Sequence, residues 1–414
     1  MVTRRLKSVG CLGLLLGACN VDQAPRPEGI APGGDAGTSS ADGAASDSAS
    51  YTASARACAS AVAVISSDYK STNVSAISAT GTVLSESILS SGSAAAGLSA
   101  PLSGDVSLPL SAPNAGQLVL LDRSNSVLTW VDPTTATVVR QLPVGTGFDS
   151  NPHDYLELSG NKAYVTRYNS NPTPGVEPND AGGDVLVVDT TTFAIAKTIP
   201  LAAAADGAFL PRPDRMLAIG NEVWVLLHRF DNDYASIGDA RIVGISTVDD
   251  TVAWTLDLPG IADCGGVAVA PSGDVVALSC AGMFGELPIG NRSAIALIDA
   301  TVHPPVEITR FPAASQLGAP FGLSLAFATE DVVVGVVPGD LQTGQNDVAF
   351  KLHTSAQAKA ELLLANVGQA FTLGDVYCDP GCTNLCFMTD GQNGGDETTC
   401  EGLPGDRIAQ GSFM

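Results

Sequence analysis

Residues 216–259 read MLAIGNEVWVLLHRFDNDYASIGDARIVGISTVDDTVAWTLDLP. Four short apolar runs stand out, at 216–219, 222–227, 241–246 and 252–258. Each is rich in Val, Ile, Leu or Trp and closed by Gly, Asn or Asp, which is how strands and their turns are written. Four such runs in succession make an antiparallel meander.

The run ending at Ser246 has counterparts on both sides. Val74-Ser75-Ala76-Ile77-Ser78, Leu128-Thr129-Trp130-Val131-Asp132, Val185-Leu186-Val187-Val188-Asp189, Ala294-Ile295-Ala296-Leu297-Ile298-Asp299 and Val348-Ala349-Phe350-Lys351-Leu352-His353 line up with it. Their ends fall at 78, 132, 189, 246, 299 and 353, with spacings of 54, 57, 57, 53 and 54 residues. One further period lands near Arg407-Ile408-Ala409-Gln410, so the spacing predicts seven units. A four-stranded meander cannot bury both of its faces alone and must stack on two neighbours. The chain is therefore expected to be all-β, a seven-bladed β-propeller of four-stranded antiparallel meanders over residues 58–414. Coverage of both faces explains why the third and fourth strands read as near-continuous apolar runs. The first unit, with runs at 61–66, 74–78 and 83–89, lacks an innermost strand, and the last lacks an outermost one. After the third strand of a unit comes a polar turn, as in Asp132-Pro133-Thr134 and Asp189-Thr190-Thr191, where the Asp is expected to bond the backbone N–H groups ahead of it.

Ala163-Tyr164-Val165-Thr166-Arg167 resembles the Tyr-Val-Thr-Asn signature of the YVTN-type propellers, with Arg167 where that family has Asn. Residues 185–191 followed by Ala196-Lys197-Thr198-Ile199 are similar to that family's next strand pair. The resemblance implies a propeller in an extracytoplasmic setting. It implies no activity, since propellers host enzymes, binding proteins and scaffolds alike.

The first 19 residues read as a processing signal. Arg4, Arg5 and Lys7 form a basic start, residues 11–16 a short apolar core, and Leu16-Gly17-Ala18-Cys19 resembles the bacterial lipobox. That resemblance implies cleavage before Cys19 and lipid attachment to it. Six apolar residues cannot span a bilayer, which needs about 20. Asn20 follows the cysteine, which points to the outer membrane. Residues 20–57 are Ala, Gly, Ser, Asp and Pro with almost no large apolar side chain, and read as a disordered tether.

Cleavage before Cys19 leaves 17 Lys and Arg against 43 Asp and Glu, a formal charge of −26. Phosphate backbones need a basic surface, so nucleic acid is excluded as a partner. Cys264 and Cys280 flank the hairpin around Pro271-Ser272-Gly273 and are expected to face each other as a disulfide. Cys378, Cys382, Cys386 and Cys400 have the spacing C-x3-C-x3-C-x13-C with no histidine among them, which favours disulfides over zinc. Cys58 is a further partner for this group.

Loops converging on the channel of a propeller are where a site belongs. The inter-blade links carry His153 and Asp154, then Arg212, Asp214 and Arg215; the strand-to-strand loops carry Arg167 and Arg229. Arginine forks beside Tyr or His suit an anionic or sugar-like ligand. The plainer alternative pairs Arg215 and Arg229 with Asp214 and Asp231 to stiffen the face. His153 beside Asp154 suggests a general base, against a turn or capping role. Asp231-Asn232-Asp233 and the acidic residues from Asp180 to Asp184 offer oxygens to calcium but lack a full set, and are expected to be loop turns. No nucleophile elbow, metalloprotease helix, P-loop or EF-hand motif occurs. The expectation is a monomeric, lipid-anchored envelope propeller, without cofactor, that binds a protein, a glycan or a small anionic molecule. The rivals are a propeller hydrolase or lactonase using a cation, and a scaffold.

Overall fold

The computed structural model describes residues 61–388 apart from 79–81, 114–115, 159–160, 284–290, 341–343, 356–358, 366–372 and 379–385. Six antiparallel sheets follow one another along the chain. The first has three strands, β1 (Ala61–Ser67), β2 (Thr72–Ser78) and β3 (Val83–Ser90). The second holds β4 (Val106–Ser107), β5 (Leu118–Asp122), β6 (Val127–Asp132) and β7 (Thr137–Pro143). The third holds β8 (Pro152–Glu157), β9 (Lys162–Ser170), β10 (Gly182–Asp189) and β11 (Ala194–Pro200). The quoted stretch falls in the fourth sheet, β12 (Pro213–Ile219), β13 (Glu222–Leu227), β14 (Ala240–Ser246) and β15 (Thr251–Leu258). The fifth has β16 (Cys264–Val269), β17 (Val275–Cys280), β18 (Ala294–Asp299) and β19 (Val306–Pro312), and the sixth β20 (Leu325–Thr329), β21 (Val332–Val337), β22 (Val348–His353) and β23 (Glu361–Ala365). Strand order within every sheet is chain order, the meander expected of propeller blades.

Among the described residues the chain therefore forms six blades and not the seven expected. Beyond Ala365 the described residues form only a two-stranded hairpin, β24 (Tyr377–Cys378) and β25 (Cys386–Phe387). The period holds over the six units whose third strands carry an apolar run. Residues 407–410, where the extrapolated seventh would fall, offer one large apolar side chain, Ile408, and lie outside the described residues. The Cys378–Cys386 disulfide closes the hairpin. Its Val376, Cys378, Cys386 and Met388 pack on Ala326, Val334, Val336 and Ala349 of the sixth blade.

Apolar layers lie between successive sheets. Tyr164, Val185 and Ile199 of the third meet Met216, Val223 and Val243 of the fourth. Trp224, Ile242 and Trp254 of the fourth meet Val267, Leu278 and Ala296 of the fifth. Second and third strands are buried almost throughout, as in β5, β6 and β13. Fourth strands are not: β7, β11, β15 and β19 are half exposed. Their apolar reading failed because the outermost strand is an edge, reached by neighbouring blades over only part of its surface.

The third-strand turns form as expected. Asp132 Oδ1 accepts the N–H groups of Thr134 and Thr135 at 2.8 and 3.3 Å, and Asp189 Oδ1 those of Thr191 and Thr192 at 2.8 and 3.0 Å. Cys264 and Cys280 are direct partners across β16 and β17 and are disulfide-bonded.

Candidate functional site

The innermost strands surround a channel cavity of about 340 Å³. Its walls include Ile65 of β1, Leu108 and Leu110 after β4, His153 of β8, Arg215 of β12, Val267 of β16, Leu325 of β20 and Val376 beside β24, so every blade and the terminal hairpin contribute. Polar groups enter from Arg123, His153, Asp214, Arg215, His228 and Asp375.

Three consecutive blades use the same backbone device, two of them to deliver a polar side chain and the third a glycine. Asn151, Arg212 and Asp263 each sit in the left-handed region, with φ of 47°, 46° and 53°, immediately before β8, β12 and β16. In each strand the register with its neighbour then slips: between Pro152 and Asp154, between Pro213 and Met216, and between Cys264 and Gly266. A bulge re-aims a side chain and bends the strand. His153, Asp214 and Gly265 occupy these bulged positions, and all three line the cavity.

The two acidic and imidazole side chains meet there. His153 Nδ1 lies 2.7 Å from Asp214 Oδ1, and His228 Nε2 lies 3.0 Å from Asp214 Oδ2. Gly265 makes room for this pair, since a Cβ on it would come within 2.9 Å of Asp214 Oδ2 and 3.2 Å of His228 Nε2. His228 Nδ1 stands 3.1 Å from Asp263 Oδ1 and 3.3 Å from the Tyr168 hydroxyl. The imidazole of His153 stacks on the Tyr168 ring, with centroids 4.1 Å apart and planes at 11°.

Burial and charge sort the protonation states. Burial alone would push Asp214 up, but the His228 charge and the bonds from both imidazoles outweigh it and hold the carboxyl well below its ordinary range. For His228 burial acts downward, and the carboxylates of Asp214 and Asp263 overcome it, raising it to about 9. His153 is lowered, chiefly by burial, with the charges of His228 and Arg123 adding to the effect. At neutral pH the site thus holds an Asp214 carboxylate, a His228 imidazolium and a neutral His153. Because Asp214 only accepts, His153 carries its proton on Nδ1 and its Nε2 is a lone pair. Burial raises Asp263.

Arg215 is anchored behind this group. Its Nη1 donates to the carbonyls of Leu108 and His153 at 3.1 and 3.3 Å and lies 3.9 Å from Asp154, while Nη2 faces Asp375 at 3.6 Å. Asp154 is buried beside it and accepts N–H bonds from Leu110, Tyr155 and Met216 at 2.8–2.9 Å. Burial pushes Asp154 up to about 6, against the pull of Arg215 and those donors, so at neutral pH it is a carboxylate. Arg123 pairs with Asp105 at the cavity wall.

Of the residues singled out in the sequence, His153, Asp214 and Arg215 come together in the cavity, with Asp154 buried behind them. His153 pairs with Asp214 and not with its neighbour Asp154, and Arg215 with Asp154 and Asp375 and not with Asp214. Arg167, Arg212 and Arg229 do not line the cavity. Arg167 is fully buried in a two-point pair with Asp184, 2.8 and 2.6 Å, and also bonds the Val144 and Asn179 carbonyls. Arg212 lies on the Tyr234 ring at 3.9 Å, and Arg229 pairs with Asp206, not Asp231, and bonds the Asp239 carbonyl. Asp231 and Asp180 accept backbone N–H groups within their own loops. No cluster of three or more His, Cys, Asp or Glu with metal-holding geometry occurs among the described residues. Asp263 and His228, which the sequence also places in loops on the channel face, were not among the candidate site residues. The signal for His228 was the period: His228 and Tyr168 take the same backbone bond, from their N–H to the carbonyls of Arg212 and Asn151.

No family model matches the chain, and no curated protein matches it in sequence. Several solved propellers are similar to it in fold. Hydrazine synthase from Kuenenia stuttgartiensis is 13% identical, covering 73% of this chain and 79% of that one, with a TM-score of 0.48. The Cps50 (Swd1) β-propeller domain of Myceliophteria thermophila is 11% identical over 78% of this chain and 90% of its own, TM-score 0.47. Regucalcin from Agrobacterium tumefaciens, a calcium-binding protein, is 10% identical over 66% and 77%, TM-score 0.43. Such likeness concerns the β-propeller fold and says nothing of the site.

Proposed function

We propose that the chain is a lipid-anchored envelope propeller of the YVTN type whose ligand is a small molecule with an acidic group, held in the channel cavity. The observation that carries this reading is the placement of Arg215, Arg123 and the His228 imidazolium on one cavity whose walls are part polar and part apolar. Arg215 is fixed by two carbonyls through Nη1, while its Nη2 faces Asp375 at 3.6 Å, longer than a hydrogen bond. A guanidinium held in this way offers a preset donor edge to a carboxylate. The cavity volume lies in the range of small-ligand pockets, roughly 300–1,000 Å³, and favours a small molecule over a folded protein partner. The envelope setting rests on the lipobox at Cys19 and the Tyr164-Val165-Thr166 resemblance.

Thermal melting with a panel of small carboxylates, sugar acids and neutral sugars tests the reading. A ligand that binds only the folded state raises the melting temperature. Acids are expected to raise it and neutral sugars not, with the shift lost in Arg215→Gln and reduced in Arg123→Gln. Equal shifts from neutral and acidic sugars, or none from any acid, would remove the acidic-ligand reading.

A further inference from the structure

The two histidines on Asp214 share a carboxylate but differ in what their second nitrogen does. His228 is 6% exposed, and its far nitrogen faces Asp263 and Tyr168. His153 is 15% exposed, lines the cavity, and its Nε2 has no partner among the described residues. A histidine kept for packing would be used at both nitrogens, as His228 is. His153 instead has one nitrogen oriented at 2.7 Å by a carboxylate, its ring held flat against Tyr168, and an Nε2 without a hydrogen-bond partner among the described residues, on a residue that lines the cavity. That is the arrangement of an oriented general base.

We propose that the channel site hydrolyses small carboxylate-bearing esters, with His153 as the base that activates water, Asp214 as the positioning residue that fixes its tautomer, and Arg215 as the anchor for the substrate carboxylate. This rests on the acidic-ligand reading above and adds a reaction to it. Water oxygen bonds to the ester carbonyl carbon as His153 Nε2 takes its proton, and the carbonyl electron pair moves onto oxygen. Collapse of that intermediate breaks the bond to the alcohol oxygen, which receives the proton back from Nε2, leaving acid and alcohol. No redox partner is needed. His228 acts separately, because its positive charge keeps Asp214 ionised, so that Asp214 accepts from His153 and never competes for the proton.

The groups that set the pH response of His153 come from several elements. Asp214 on β12 favours its protonation; His228 after β13, Arg123 after β5 and burial oppose it, while the neutral Tyr168 ring of β9 covers one face and Arg215 bonds its carbonyl. The balance leaves the base form present at neutral pH, so the rate should rise through an inflection below the ordinary imidazole value and then stay level.

The test uses the full chain with 4-acetoxybenzoate as substrate and 4-acetamidobenzoate, which keeps the carboxylate but resists hydrolysis, as binding probe in calorimetry. Expected is turnover that falls at least about 100-fold in His153→Ala, a loss in the range of general-base contributions, while probe affinity changes only a few-fold. Added imidazole should restore part of the His153→Ala rate, which no structural role would allow, and Asp214→Asn should slow turnover and move the inflection to lower pH. Phenyl acetate, lacking the carboxylate, should be a poorer substrate. If the probe binds but 4-acetoxybenzoate is hydrolysed no faster than by buffer, or His153→Ala is as fast as wild type, the hydrolytic proposal fails and the binding reading stands. If the probe does not bind and Arg215→Gln changes nothing, both fail.

Discussion

The protonation state of His228 sets how the stability of the channel site responds to alkaline pH. His228 titrates near 6.5 when unfolded and at about 9 in the folded protein, because Asp214 and Asp263 outweigh its burial. A folded value above the unfolded one means that the stabilisation is complete below pH 6.5 and disappears as pH rises through 9. The span corresponds to roughly 3 kcal/mol. Urea denaturation at pH 6, 7.5 and 9.5 should therefore show wild type losing on the order of 3 kcal/mol across the range, with His228→Gln giving a nearly flat profile over the same interval. A wild type as flat as the variant would mean that the imidazolium is not held by those carboxylates. The partners in this network were not legible from the sequence, and the reason is geometric. His153 is next to Asp154 and Asp214 next to Arg215, but successive strand side chains point to opposite faces. His153 reaches instead across 61 positions, one blade further on, to Asp214. What the sequence did offer was residue type near the channel; it could not show that Arg167, of the same type, would be consumed by Asp184 in the interior.

Among the strands, two glycines show how a blade accommodates an aromatic ring. Gly244 of β14 is the cross-strand partner of Trp254 on β15, and Gly335 of β21 that of Phe350 on β22. In both pairs the ring lies over the glycine. A Cβ at Gly244 would overlap the Trp254 indole, and one at Gly335 would come within 2.8 Å of the Phe350 ring. Trp254 has little freedom to move away, because its indole N–H donates to Glu222 at 2.9 Å and its ring meets Trp224 edge-on at 5.3 Å. Gly244→Ala should accordingly destabilise the protein by about 2 kcal/mol through overpacking, and the loss should shrink in the Gly244→Ala, Trp254→Leu double variant, measured by the same denaturation. An additive double variant would show that the ring is not what the added methyl meets. Strand positions themselves were legible. The runs read at 222–227 and 241–246 became β13 and β14 within a residue, because apolar runs closed by turn residues report burial on both faces directly. The links before β8, β12 and β16 read as loops, since Pro, Asp and Arg at their start mask strands whose first residues are bulged toward the channel. Blade number was overstated for a different reason: regular spacing fixes the length of a repeat, and the count depends on where apolar strands stop.

For the molecule as a whole, charge decides which part can bring it to a membrane. After cleavage before Cys19 the chain would carry 17 basic and 43 acidic residues, a formal charge of −26. A surface of that sign is repelled by anionic head groups. That charge opposes electrostatic attachment through the propeller, so under the proposed reading the lipid on Cys19 would supply the membrane affinity. Burial of acyl chains contributes about 0.8 kcal/mol per CH₂ and, with more than one chain, gives stable anchoring that salt does not weaken. Produced in a bacterium that processes lipoproteins, the full chain should partition into the detergent-rich phase of a cloud-point separation, and should do so equally at low and high salt. Cys19→Ser should move it to the aqueous phase without changing its melting temperature, because residue 19 precedes every blade. If Cys19→Ser stayed with the detergent, the membrane-seeking part would be apolar surface on the propeller, and the exposed Val83 and Leu84 at the start of β3 would be the first place to substitute.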